Sequence, residues 1–171
     1  TFLGGEDFDK RVIDYPAWKW QPILQLIILT KRPKAKGRDY QSIWNHKRNE
    51  SPMLTITRQQ TEKLRAAAVA EWGDRVMVEF CMRYGNPSTE SVVQRMVAEG
   101  CEKILFFPLY PHYAGATSAT ANDQFFRALM KEKRQPAVRT VAEYFDHPQY
   151  IDALAGSVET AYSTLGHRPD V

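Results

Sequence analysis

"KILFFPLYPHYAGATSATANDQFFRALMKEKR", residues 103–134, changes character twice along its length. Residues 103–110 form an apolar run with aromatics, fit for a buried strand. Residues 111–120 carry a Pro, a Gly and a string of Ala, Thr and Ser, which reads as a loop, and 121–134 reads as a helix. A strand that runs through a loop into a helix is half of the crossover unit by which parallel strands are joined. Large aromatics and small hydroxyls also stand side by side at the strand's end. Either a ligand with a wide flat face or a tightly packed strand-to-helix turn accounts for that pairing.

The same unit stands before it and begins again after it. Residues 55–72, "TITRQQTEKLRAAAVAEW", are rich in helix formers with Leu64, Ala68 and Trp72 on one face, and Gly73 closes them. "RVMVEFCMRY", 75–84, reads as a strand. "GNPSTESVVQRMVAEG", 85–100, follows as a helix capped by Asn86 or Ser88, with Pro87 and Glu90 in its first turn and Gly100 at its end. "VRTVAE", 138–143, reads as a third strand, and a last helix runs from about Pro148 to Leu165. Strands and helices in alternation predict an α/β fold, with a parallel sheet covered by helices on both faces.

The chain has 171 residues, enough for one domain with a sizeable core, and its 43% hydrophobic and 25% charged residues exclude a disordered chain or a fibrous repeat. The net charge is only +3, yet Lys31, Arg32, Lys34, Lys36, Arg38, Lys47 and Arg48 face only Asp39 and Glu50 in that part of the chain. Two cysteines, Cys81 and Cys101, match no metal spacing and read as buried free thiols in a reducing compartment. The opening "TFLGGEDFDKR" lacks the basic start and apolar block of a cleavable signal, and no stretch has the length of a membrane span. The nearest is "AWKWQPILQLIILTKRPK", in which Trp18 and Trp20 lead the apolar run from Ile23 to Leu29 and basic residues follow. Aromatics at one end and cations at the other suit a segment at a membrane surface or on the rim of an apolar pocket. A buried helix with a basic last turn is the equal alternative.

Parallel sheets of this kind bind ligands beyond the carboxyl ends of their strands. Arg83 and Tyr84 leave one strand there, and Tyr110, His112 and Tyr113 leave the next. Thr117, Ser118 and Thr120 begin a helix whose free amides favour an anion. No glycine fingerprint for a dinucleotide or a phosphate loop is present, since "GGED" has neither the spacing nor a strand before it.

Taken in order, "DKRVIDYP", "PILQLIILTKRP", "YQSIWN", "NESPM", "TRQQTEKL", "FCMRYGNPS" and "PLYPHYAGATSAT" resemble the ferrochelatases, most closely bacterial members. The resemblance runs through most of the chain. It implies an enzyme that inserts ferrous iron into a porphyrin, protoporphyrin IX or a close relative, in haem biosynthesis. The implied fold is a three-layer, doubly wound, flavodoxin-like lobe. Residues 1–171 would be the family's first lobe without its first strand, and 17–36 an apolar and basic lip within it. The family's metal-site His and Glu lie in a second lobe, expected beyond Val171, so none of His46, His112, His147 and His167 is assigned as catalytic base. The chain by itself is then expected not to turn over.

Residue by residue, the resemblance implies that Ile27 and Leu29 cover one face of the ring. Lys31, Arg32, Tyr40 and Ser51 fall where the family meets porphyrin propionates, and cations with hydroxyls are what carboxylates need at a rim. Lys31 stands where some members have an Arg, which puts a bidentate contact there in doubt. Arg83 and Tyr84 line the inner pocket, and Tyr110 sits where a Tyr is proposed to guide the metal, although a phenol there can also simply pack. Some members hold an iron–sulfur cluster through a Cys in the loop after the Tyr-Pro segment. That place is Gly115 here, so no cluster held in that way is expected. Ferrous iron would be a substrate and the expected cofactor list is empty. The expected partners are porphyrin and iron, with peripheral membrane contact open, no nucleic acid, and a cytoplasmic location. A related cobalt chelatase, or a domain that binds porphyrin, haem or membrane without turnover, remains an alternative.

Overall fold

The computed structural model describes residues 16–23, 25–26, 37 and 39–165. Helix α1 spans Ala17–Ile23, with Pro22 inside it. Residues 45–50 close a tight loop through reciprocal backbone bonds, Asn45 N to Glu50 O at 3.0 Å and Glu50 N to Asn45 O at 3.3 Å. Asn49 takes a positive φ of 50° there, a region Asn tolerates better than most side chains.

Helix α2, Pro52–Trp72, starts as its sequence dictates. Ser51 is its N-cap, the Ser51 hydroxyl oxygen accepts from Leu54 N, and Pro52 occupies the first turn, where a missing N–H costs nothing. Gly73, at a φ of 62°, terminates it. Of the face expected to bury, Ala68 is buried with Thr61, while Leu64 and Trp72 remain exposed.

Residues 75–84 correct the sequence reading, because they pair with neither strand of the sheet. Val76 is extended, and two of the run's backbone groups are bonded outside any ladder. Arg65 donates twice to the Val78 carbonyl, from Nε at 3.2 Å and Nη2 at 2.8 Å, and Met82 N donates to Pro87 O at 2.8 Å. The Glu79 carboxylate then ties the two flanking helices together, 2.7 Å from Arg95 and 3.7 Å from Arg65. The helix after it, α3, spans Thr89–Ala98; Ser88 is the cap, its oxygen accepting from Ser91 N, and Pro87 lies before the helix.

Strand β1, Lys103–Phe106, ends four residues earlier than expected. Pro108 has no N–H to give a ladder, which suits the chain's departure there. A wide turn over Gly115–Ala119 leads into α4, Thr120–Leu129. Helix α4 stops short of 134 because Lys131 and Glu132 bond three residues back, to Ala128 O and Leu129 O, and tighten the end. Strand β2, Ala137–Thr140, pairs parallel with β1, Ile104 opposite Val138 and Leu105 opposite Arg139. Helix α5, Pro148–Leu165, has the bounds read from the sequence.

The core is the β1–α4–β2 unit with α3 laid against it. Val93 of α3, Ile104 of β1, and Phe125, Ala128 and Leu129 of α4 are its buried centre, with Met96, Val97, Phe106 and Val138 around them. Phe125, 1% exposed, stacks on Phe106 with ring centroids 4.3 Å apart and planes 5° from parallel. Ile104 and Phe106 face the helices, so the alternate residue Leu105 points to the opposite face and is 66% exposed. The α/β character read from the sequence holds.

Candidate functional site

The run 75–84 leads into one loop and β1 into another, and Arg83 at the end of the first reaches the helix that follows the second. Arg83 donates from Nε to the Thr120 hydroxyl at 3.3 Å and from Nη1 to Gln124 Oε1 at 3.1 Å, across 37 and 41 residues of sequence. Thr120 and Gln124 lie one turn apart on α4, on one face, so both can meet one guanidinium. The guanidinium carbon also sits 4.5 Å from the centroid of the Tyr84 ring. Gly85, at a φ of 101°, lets the chain turn directly after Tyr84. Tyr110 completes the group. Burial raises its phenol pKa above the ordinary value, the neighbouring Tyr84 adds to the rise, and Arg83 opposes it. The cluster thus presents a fixed cation, one half-exposed ring and a phenol that keeps its proton at neutral pH.

The small residues after Tyr110 answer the question their composition raised. The buried Thr120 hydroxyl donates to backbone carbonyls one turn earlier, Ala116 O at 3.2 Å and Thr117 O at 3.1 Å, and Ser118 donates to His112 O at 3.3 Å. The Thr117 and Ala119 amides are bonded to Ala114 O, so they are not the free anion-binding amides expected there. These hydroxyls build the turn. The aromatics beside them are fixed from another side. Tyr144 N donates to Pro111 O at 3.0 Å, Phe107 packs edge-on to Tyr144 at 5.2 Å, and His112 stacks on Phe145 at 5.3 Å.

Ser51 and Tyr40 belong to a second region. The Glu50 carboxylate is its hub, accepting from the Thr55 hydroxyl at 2.9 Å and from Arg58 Nη2 at 2.9 Å, with Arg48 at 4.0 Å. The Thr55 bond is the largest cause holding the Glu50 carboxyl below the ordinary value; burial opposes it and the arginines assist. Asn45 donates to the Thr55 hydroxyl at 3.1 Å, and Trp44 donates to Asn49 at 3.1 Å, so the loop before Ser51 is held by side chains. Tyr40 is exposed beside it in the sequence. Ile27, Leu29, Lys31 and Arg32 lie outside the described residues. In the described part of the lip, Trp18 is 73% and Leu26 72% exposed, which does not fit the buried-helix alternative.

Three residues that matter to this geometry were not singled out by sequence reading. Glu50 carried a signal, as one of two acids among many cations, and Gln124 sits one turn from Thr120. The pairing of Gln124 with Arg83 had no local signal. Arg58 had none either. Among the described residues no three of His, Cys, Asp and Glu gather in a way that could hold a metal ion, and no helix is long and apolar enough to cross a membrane. Cys81 and Cys101 are free, and burial pushes the Cys81 thiol pKa up, with a Thr89 hydrogen bond opposing.

A family model described as ferrochelatase matches residues 5–171. The chain is 68% identical over 164 residues to a protein named ferrochelatase from Rhodobacter capsulatus, covering 95% of this chain and 47% of that one. It is 55% identical over 163 residues to one from Mesorhizobium japonicum, and 52% identical over 163 residues to one from Brucella anthropi, each covering 95% of this chain and 46% of the relative. The chain therefore spans about half the length of the curated relatives it matches. By these matches, and by the ordered motifs that the Arg83, Tyr84 and Tyr110 cluster unites, the chain belongs to the ferrochelatase family.

Proposed function

We propose that this chain is the porphyrin-binding first lobe of an enzyme that inserts ferrous iron into protoporphyrin IX or a close relative, in haem biosynthesis. The observation that carries the reading is the Arg83, Tyr84 and Tyr110 cluster, a cation beside aromatic rings in a member of this family. Insertion replaces two pyrrole protons by a metal dication, so a base must take two protons and the ring must bend until its nitrogen lone pairs leave the plane. A rigid wall against one face of the macrocycle favours the bent form over the flat one. Ile27 and Leu29 would cover the ring, Lys31, Arg32, Tyr40 and Ser51 would meet its propionates, and Tyr110 would lie on the path of the metal.

The same reading makes residues 1–171 one lobe of three-layer, doubly wound form, with 17–36 as its lip. It places the protein in the cytoplasm with the lip in peripheral contact with a membrane, and it requires no iron–sulfur cluster. The test is titration of the protein with protoporphyrin IX, followed by quenching of tryptophan emission. Saturable binding that Tyr84→Ala weakens is expected. Absence of saturable binding overturns the proposal, and salt-sensitive affinity for RNA in its place would support a nucleic-acid module.

A further inference from the structure

Arginine only donates hydrogen bonds, and a guanidinium left free in a cleft samples several directions. Here two acceptors from one face of α4 hold two of its nitrogens, and its central carbon sits 4.5 Å from the centroid of a ring from its own loop. Because only the amide oxygen of Gln124 can accept from Arg83, the orientation of that amide is settled by chemistry. Thr120 is itself fixed, being 1% exposed and bonded to the preceding turn. Next along the helix is Phe125, the most buried side chain of the core. The path from core to Arg83 is therefore short: Phe125 seats α4, α4 holds Gln124 and Thr120, and these hold Arg83.

We propose that Gln124 is a positioning residue that, with Thr120, holds the Arg83 guanidinium over the Tyr84 ring and so fixes the wall on which a flat ligand packs. The ligand part of this inference rests on the porphyrin reading above; the positioning part does not. Gln124 contacts no substrate in this scheme. It acts through Arg83, by removing the freedom that Arg83 and Tyr84 would otherwise lose on binding. A ligand meeting a wall already ordered binds more tightly than one that must order it.

The experiment compares Gln124→Leu, which removes the acceptor at similar size, with Gln124→Glu, which keeps an oxygen there. The first readout is the nitrogen-15 resonance of Arg83 Nη1, the nitrogen that donates to Gln124, and the solvent exchange of its protons in the protein without ligand. Gln124→Leu is expected to speed that exchange by at least about tenfold, and Gln124→Glu to leave it slow, since loss of a charge-assisted bond is worth that factor or more. The second readout is the affinity for protoporphyrin IX, expected to fall about tenfold in Gln124→Leu and to be restored in Gln124→Glu. Urea melts of both variants show that the fold is kept. Unchanged Arg83 exchange in Gln124→Leu overturns the proposal, as does Gln124→Glu failing as far as Gln124→Leu. If the wild-type protein binds no porphyrin yet Arg83 exchange depends on Gln124 as stated, the positioning role stands and the porphyrin reading falls.

Discussion

Ser51 has two roles that substitution can separate. In the fold it caps α2, its oxygen accepting from Leu54 N at 3.2 Å. In the proposed function its hydroxyl proton donates to a propionate, and the two are compatible because a hydroxyl has one donor and two acceptor positions. Ser51→Ala removes both. Loss of the cap costs about 1 kcal/mol, which for a chain of this size lowers the Tm by about 2–4 °C. Loss of a bond to a carboxylate at an exposed rim takes the low end of the range for charged partners, about 1.5 kcal/mol, or roughly tenfold in porphyrin affinity. Ser51→Asp breaks the link between the two effects. An aspartate caps as well as serine and suits the positive end of the helix, so stability is kept, yet its charge opposes a propionate and affinity falls at least as far as in Ser51→Ala. Urea unfolding followed by circular dichroism gives the first quantity, and porphyrin titration gives the second. Wild-type affinity in a stable Ser51→Asp protein would refute the propionate contact, and unchanged stability in Ser51→Ala would refute the cap.

Phe125→Ala removes the ring stacked on Phe106 at the centre of the core and is expected to cost about 3–5 kcal/mol in urea unfolding, a loss below about 1 kcal/mol showing that the site collapses around the change. Glu50 makes the acid side of the stability profile informative. Its carboxyl pKa is lowered in the fold, chiefly by the Thr55 bond, so its contribution is complete above the unfolded-state pKa and is lost as pH falls through the folded-state value. Glu50→Gln should therefore flatten that part of the profile while leaving its alkaline side as it was, and an unaltered acid limb would count against the Thr55 and Arg58 bonds.

What could be read in advance followed from how local each feature is. The bounds of α5 were legible because Pro148 suits a first turn and the helical pattern carries through to Leu165. The cap of α3 was legible to within two residues, Asn86 or Ser88, and Ser88 fills it. The run 75–84 was not, since an apolar stretch becomes a strand only if another strand takes its amides and carbonyls, whereas here Arg65 takes the Val78 carbonyl and Pro87 the Met82 amide. Thr120 and Ser118 misled because a small hydroxyl near a helix start serves a ligand or its own backbone equally well, and only burial separates the two. Arg83 and Tyr84 could be named from their place after an apolar run and from resemblance. Their fixation could not, because it depends on a contact 41 residues away in sequence.

The distribution of burial predicts how stiff the site is from place to place. Amides of β1 and α4 surround Phe125, Ile104, Ala128 and Leu129 and open only when the core opens. Helix α2 has two buried residues along its length, Thr61 and Ala68, and leans on side-chain bonds around Glu50 and Glu79. Helix α5 has none, and Ile151, Leu154, Val158 and Leu165 stand exposed along it. Tyr150 packs edge-on to Tyr144 at 5.5 Å, but a helix of its length with so little buried is marginal in water. Amide protection should therefore fall in the order α4, α2, α5, with α4 amides exchanging at least about a hundredfold more slowly than those of α5, since local openings range from near zero to the global stability. Arg83, which hangs from α4, should therefore be stiffly held and Ser51, which caps α2, more softly, the one as inner wall and the other as rim in the proposed function. Under the proposed function a flat, rigid macrocycle would be served by that order of stiffness, because a rim that yields would admit the ring and a wall that does not yield would bend it. Native-state hydrogen exchange read by nuclear magnetic resonance decides the matter. Protection in α5 equal to that in α4 would mean that its apolar stripe is covered in solution, and the gradient argued from burial would be wrong.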